Sequence, residues 1–189
     1  MKNIAIFVSG NGTNCENIIR YFRDSKDVHI QLVLSNKINA GALEKAQQLN
    51  VRTIVVSKAE FNDPQYLLSI LQQENIEFIV LAGFLLMIPD FLIKEFHHRM
   101  LNLHPALLPK YGGKGMYGRH VHEAVKAAGE KETGMTVHWV NNICDGGDII
   151  AQYKIPINPQ DTVDDIATKE HELEIKYFPE IINKIIKNI

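Results

Sequence analysis

The chain has 189 residues, 46% of them hydrophobic and 22% charged, the proportions of an ordinary globular domain long enough for a real core. A formal charge of −2 gives no hint of a basic nucleic-acid surface, and Cys15 and Cys144, far apart and outside any C-x-x-C, indicate neither a zinc site nor a disulfide framework. No apolar run approaches the ~18 residues of a membrane span, so one soluble, cytoplasmic domain over residues 1–189 is the expectation.

Ile4–Ser9 is a continuous apolar run, as expected of a strand buried on both faces of a parallel sheet. It leads into Gly10-Asn11-Gly12-Thr13-Asn14 and a helical pattern whose buried face is Ile18, Ile19 and Phe22. Thr13 with Glu16 three residues on predicts a capping box, placing the helix start at the glycine loop. A helix N-terminus preceded by glycines offers free N–H groups to an anion, so phosphate binding is the physical suggestion; a tight turn without a ligand is the competing one. The dinucleotide fingerprint is incomplete, because Cys15 stands at its third glycine position and the second strand, Ile30–Ser35, ends in Ser35-Asn36-Lys37 with no acid for a ribose. A monophosphate is favoured over a dinucleotide, which also counts against an NAD-dependent dehydrogenase.

The alternation continues with a helix over Gly41–Leu49, a strand over Thr53–Val56, a helix over Pro64–Asn75 and a strand over Phe78–Leu81. Ala82–Pro89 is unusually apolar for a connection; core burial explains it, and so does an apolar wall for a flat aromatic ligand. After a helix over Pro89–Phe96 comes Met100–Tyr111, which carries Asn102 and His104 two residues apart. In a strand these share a face, and Pro105 ends the ladder just beyond them, where open α/β sheets hold their ligands. Lys110–Gly118 has four glycines and reads as a loop over that site. A helix over His120–Ala128, strands over Thr136–Val140 and Ile149–Ile155, and a long amphipathic helix over Asp164–Ile186 complete the chain. Between the last two strands lies a turn-rich loop, Asn141–Asp148, with two acids. His120 and His122 form an H-x-H without a third ligand, which reads as a solvated helix start; His138, alternating with Trp139, is given no role. The fold class is α/β: a doubly wound, mostly parallel sheet, Rossmann-like in its N-terminal half.

S-G-N-G-T-N at Ser9–Asn14, A-G-F at Ala82–Phe84, N-L-H-P-A-L-L-P-K-Y at Asn102–Tyr111 and D-G-G at Asp145–Gly147 together resemble the formyltransferase family that uses 10-formyltetrahydrofolate. The resemblance covers nearly the whole chain. It implies that a formyl group passes from 10-formyltetrahydrofolate, a co-substrate, to the amine of 5-phosphoribosylglycinamide, a step of purine synthesis. By this resemblance Asn102, His104 and Asp145 are catalytic, Gly12, Thr13 and Asn14 hold the phosphate, and Glu170 lies near the glycinamide end, although a solvated face with Glu172 and Glu174 competes for it. Leu85, Leu86, Met87 and Ile88, with Asn102 and the loop residues Asn141, Asn142, Ile143, Cys144 and Asp145, would line the folate pocket. The implied partners are these small molecules alone, with no metal, nucleic acid or membrane; oligomeric state is not implied. Some relatives carry Arg at the position of Leu86 and near Asp63-Pro64, where this chain offers no cation. Within the family, the chain's extent fits neither a tRNA-directed member nor a deformylase with further domains. Hydrolysis of the formyl donor on the same scaffold and a non-catalytic nucleotide- or folate-binding module are the rival readings.

The chemistry asks for these residue types. Amine attack on the formyl carbon builds negative charge on the formyl oxygen, and an Asn N–H with a protonated His aimed there would form an oxyanion hole. A nearby carboxylate favours the imidazolium, and Asp145 is placed to supply it.

Overall fold

The computed structural model describes residues 1–189. Seven strands form one sheet: β1 (Lys2–Val8), β2 (Val28–Ser35), β3 (Arg52–Val55), β4 (Phe78–Leu81), β5 (Met100–His104), β6 (Glu132–Trp139) and β7 (Ile149–Pro156), in the order β3-β2-β1-β4-β5-β6-β7. The first five strands are mutually parallel; β6 and β7 add antiparallel hairpin partners at the β5 edge. The helices are α1 (Thr13–Tyr21), α2 (Gly41–Gln48), α3 (Lys58–Phe61), α4 (Pro64–Gln73), α5 (Asp90–Glu95), α6 (Arg119–Ala127) and α7 (Val163–Ile186). The doubly wound expectation holds, and every expected element is present with its ends no more than four residues from those predicted. The exception is α3, a single turn too short for periodicity to reveal, which Ser57 and Glu60 close with a reciprocal capping box.

The apolar runs of the parallel strands divide by parity between two cores. Ile4, Ile6 and Val8 of β1 face a cluster with Ile18 and Ile19 of α1, Ala42 and Ala46 of α2, and Phe178 and Ile182 of α7. Ala5 and Phe7 face the opposite cluster with Phe61 of α3, Leu67 and Leu71 of α4, and Leu92 of α5. A third, small cluster of Ala106, Val121, Val125 and Ile166 locks α6 against α7. That contact brings the first turns of α7 over the carboxyl ends of the strands. The helix begins with a Thr162/Asp165 capping box and runs 24 residues, carrying Pro179 within it.

β1 and β4 are neighbours although β2 and β3 follow β1 in sequence, so the chain reverses its direction of winding between them. Connections leave opposite faces of the sheet at such a switch point and open a crevice at the carboxyl ends of the strands. Ser9, at the end of β1, ties the crevice together. Its N–H donates to the Gly83 carbonyl at 3.0 Å, its Oγ–H donates to Asn36 Oδ1 at 2.6 Å, and its Oγ accepts from the Leu85 N–H at 2.9 Å.

Candidate active site

A cavity of about 970 Å³ occupies the crevice, within the upper range of small-molecule sites. Its floor is the β1–α1 loop, one side is Ala82–Met87, and the other is Asn102–Pro105 with Gly113–Gly118. Cys144 and Asp145 enter from the β6–β7 connection, and Glu170, His171 and Glu174 reach in from α7.

The glycine loop is built for an anion, though not in the manner predicted. Gly12, not a side chain, is the N-cap of α1, in the left-handed region at φ +74°. A Cβ there would stand 2.3 Å from the Ala42 Cβ, so only glycine lets α1 and α2 start this close together. The expected Thr13–Glu16 capping box is absent, because Thr13 is already helical and Glu16 turns outward to pair with Arg20 and Lys45. The N–H groups of Gly12, Thr13 and Asn14 have no protein acceptors at the positive end of the helix. Cys15, fully buried, has its thiol pushed up to about 12 by burial and serves packing.

Asn102 and His104 project from β5 on one face, as the strand period requires. Thr136, opposite His104 on β6, holds the chain where Pro105 ends the ladder: it donates to the Ala106 carbonyl at 2.6 Å and accepts from the Leu108 N–H at 3.0 Å. His104 is 3% exposed, and its Nε2–H donates to the Tyr111 carbonyl at 2.7 Å. A carbonyl can only accept, so Nε2 carries the proton and Nδ1 is the nitrogen that gains and loses one. Asp145 Oδ2 lies 3.5 Å from that Nδ1 and accepts from the Gly113 N–H at 2.8 Å. Asn102 Nδ2 approaches Asp145 Oδ1 at 3.4 Å. The amide and the imidazole of one strand thus converge on one carboxylate at distances long enough to tighten around a reacting group.

The loop that delivers Asp145 needs its D-G-G sequence. Asp145 is left-handed at φ +53°, a conformation Asp tolerates. A Cβ on Gly147 would sit 1.7 Å from the Trp139 carbonyl oxygen, so the chain passes β6 only because that residue is glycine. Burial works against the Asp145 carboxylate, but the approach of His138, the charge of His104 and the Gly113 N–H hold it below the usual carboxylate range. At His104 burial prevails over the opposing pull of Asp145, and the imidazole is easier to deprotonate than usual. This corrects the expectation of a resting imidazolium. A carboxylate facing a neutral imidazole is the ligand-free state, and the cation is poised to form when negative charge appears beside it.

Several residues were missed or misread from sequence. His138, 2% exposed, stands directly opposite Asn102 on β6. Its Nδ1–H donates to the Trp139 carbonyl at 2.8 Å, leaving Nε2 as the acceptor for Asn102 Nδ2 at 3.1 Å. It thereby orients the amide, a role that its alternation with Trp139 in sequence does not reveal. His122 is not at a solvated helix start but 7% exposed on the cavity wall, whereas His120 is exposed and faces Glu123. Glu170 is buried rather than on a solvated face, and Glu174 one turn later is buried with it, accepting from Asn14 Nδ2 at 2.8 Å. Of the expected folate-pocket residues, Leu85, Leu86, Met87, Asn102, Cys144 and Asp145 line the cavity. Ile88 packs instead against the second core cluster, and Asn141–Ile143 lie off the cavity, Asn141 bracing its loop through Ile143 N–H and the Gly146 carbonyl. The glycine-rich loop does lie over the site, held by Tyr111 and Gly113 as above and by Lys110 and Tyr111 on Glu130.

Comparison with known proteins agrees with this fold. The formyl transferase family model matches residues 2–182. The chain is 36% identical over 188 residues to phosphoribosylglycinamide formyltransferase of Haemophilus influenzae, covering 96% of this chain and 86% of that one. It is 36% identical over 190 residues to the chloroplastic enzyme of that name from Arabidopsis thaliana, covering 97% of this chain but 65% of the plant protein; it spans less than two thirds of that relative's length. The crystal structure of phosphoribosylglycinamide formyltransferase from Anaplasma phagocytophilum superposes with a TM-score of 0.90 at 29% identity, covering 98% of this chain and 87% of that one. The chain belongs to the formyl transferase family.

Proposed function

We propose that the protein transfers the formyl group of 10-formyltetrahydrofolate to the amine of 5-phosphoribosylglycinamide, as the names of its relatives suggest. The observation that carries the reading is the placement, in one cavity, of an uncapped helix N-terminus and the Asn102–His104–Asp145 group. The nucleotide phosphate would accept from the N–H groups of Gly12, Thr13 and Asn14, with the acids of α7 along the same wall. The folate ring would lie against Leu85–Met87; Leu85 and Met87 are 45% and 60% exposed, apolar surface that a flat ligand would cover. The donor supplies an activated formyl carbon on a nitrogen that leaves as an amine.

As the amine attacks, Asn102 Nδ2 and His104 Nδ1 are the donors for the developing oxyanion. His138 keeps the Asn102 amide turned with its N–H groups toward that point. Asp145 is placed to relay the amine's proton, directly or through water, to His104 Nδ1 and to favour the imidazolium so formed, from which the same proton passes to the departing folate nitrogen. Neither a metal nor a covalent nucleophile is needed for this balance. Hydrolysis of the donor would make no use of a phosphate loop, so the glycine loop favours transfer. Mixing protein, 10-formyltetrahydrofolate and phosphoribosylglycinamide should yield deformylated folate and formylated nucleotide in equal amounts; deformylation without the nucleotide would refute the proposal.

A further inference from the structure

Glu170 and Glu174 lie one helical turn apart on the cavity face of α7, 2% and 8% exposed, so helical spacing sets their carboxyl groups side by side in one buried wall. Two carboxylates so placed cannot both ionise, so one keeps a proton. Their partners decide which. Glu174 Oε2 accepts from Asn14 Nδ2 at 2.8 Å and faces His171 Nδ1 at 2.9 Å, donors that suit an ionised carboxylate. Glu170 has none of these, and its Oε1 has no partner at all. Burial first, then the charge of Glu174, pushes the Glu170 carboxyl well above the usual range.

The groups around the pair do not reverse this. On α7 itself they are Glu174 and His171, and the nearby Lys169 is engaged by Asp161. From α6 comes His122, kept neutral by burial and with Nδ1 unpartnered, while Arg119 is spent on Glu123 and Asp164. From β5 comes His104, deprotonated at rest by its burial, and from α1 only the neutral amide of Asn14. No fixed positive charge stands against Glu170.

We propose that Glu170 is a positioning residue for the nucleotide end of the cavity: its carboxylic acid O–H holds the Glu174 carboxylate, and through it Asn14 of the glycine loop, in the arrangement that receives the phosphorylated substrate. The identity of that substrate rests on the function proposed above; the shared proton does not. Loss of the Glu170 proton sets two negative charges side by side, drives Glu174 from Asn14 and adds repulsion beside the phosphate loop. Nucleotide affinity therefore falls as pH rises through the ionisation of Glu170.

Two measurements on the full chain test this. In NMR titration of the free protein with isotope-labelled glutamate carboxyls, one resonance should titrate far above the rest and vanish in Glu170→Gln. If every glutamate titrates in the ordinary range, the proposal fails whatever the protein's activity. Calorimetric titration with phosphoribosylglycinamide then compares parent, Glu170→Gln and Glu170→Leu across the same pH range, the ligand's own ionisations being common to all three. The parent should weaken by about tenfold or more through that range, as expected for losing a hydrogen bond to a charged group. Glu170→Gln, which keeps a donor but cannot ionise, should not follow it; profiles that superimpose overturn the proposal. Glu170→Leu should already bind about tenfold more weakly at neutral pH, and parent-like binding by it would likewise overturn the role. A parent that shows the high-titrating resonance yet has no affinity for phosphoribosylglycinamide would refute the proposed function and uphold the proton-sharing pair.

Discussion

Asp145→Asn isolates the electrostatic part of the mechanism with little structural cost. Asn tolerates the left-handed conformation at φ +53° as Asp does, and its Oδ1 can still accept from the Gly113 N–H. What it removes is a negative charge 3.5 Å from His104 Nδ1 and 3.7 Å from His138 Nε2. An opposite charge at such range raises an imidazole by about one to three pKa units. Without it, burial of His104 acts unopposed by its principal carboxylate, and the imidazolium is harder to form. Turnover should fall by about 10- to 1,000-fold. The sign follows from the direction of the shift: His104 is already depressed by burial, so the variant's alkaline loss of rate moves to lower pH. The assay is spectroscopic release of deformylated folate at saturating nucleotide, from about pH 5 to 9, the range over which an imidazole titrates. Nucleotide affinity should be unchanged, since the N–H groups of Gly12–Asn14 are not touched. A variant retaining most of its rate with an unmoved pH profile would refute the claim that Asp145 tunes His104.

His104→Ala removes a donor that only the transition state uses fully, and should lower turnover by at least about 10²–10³-fold with nucleotide binding within a few-fold, read by kinetics and calorimetry together. His138→Ala leaves the Asn102 amide without its acceptor and should reduce turnover by about tenfold, while Asn102 and His138 variants combined should cost less than the sum of the two. Gly12→Ala drives a Cβ into Ala42 and should destabilise by about 1–3 kcal/mol from overpacking, with a further ~1–2 kcal/mol from the left-handed backbone, measured by urea unfolding; nucleotide binding should be lost with it. His104 and His122 are both buried and held below their ordinary value. Their contribution is therefore present above the unfolded value of about 6.5 and is lost as pH falls through the folded one. Stability should drop on acidification below about pH 6.5, and His122→Gln should flatten that slope.

Most of the fold was legible because parallel strands buried on both faces leave unbroken apolar runs, and Ile4–Val8 and Phe78–Leu81 are of that kind. Asn102 and His104 were legible because a period of two and a following proline put them on one face at a strand end. What pairing decides was not. His138 becomes functional only because β6 docks antiparallel on β5 and sets it opposite Asn102, and nothing in T-V-H-W-V names its partner strand. The H-x-H of α6 looked solvated until Val121 and Val125 fixed which face meets α7, carrying His122 inward beside them. Acids at 170 and 174 share a face by helical spacing, so Glu174 was within reach of sequence reasoning; its burial with Glu170 follows from where α6 and α1 close on α7. The resting state of His104 was also out of reach, because desolvation depends on the loop Tyr111–Gly113 that covers it.

The central claim is met most directly by following the absorbance of a 10-formyl folate donor in the presence of the protein, first alone and then with phosphoribosylglycinamide added. The account predicts no deformylation until the nucleotide is present, and then one formylated nucleotide for each folate released. Release at the same rate without the nucleotide would make the protein a hydrolase. Release in neither case, with both ligands still bound, would leave Asn102, His104 and Asp145 without the role assigned to them.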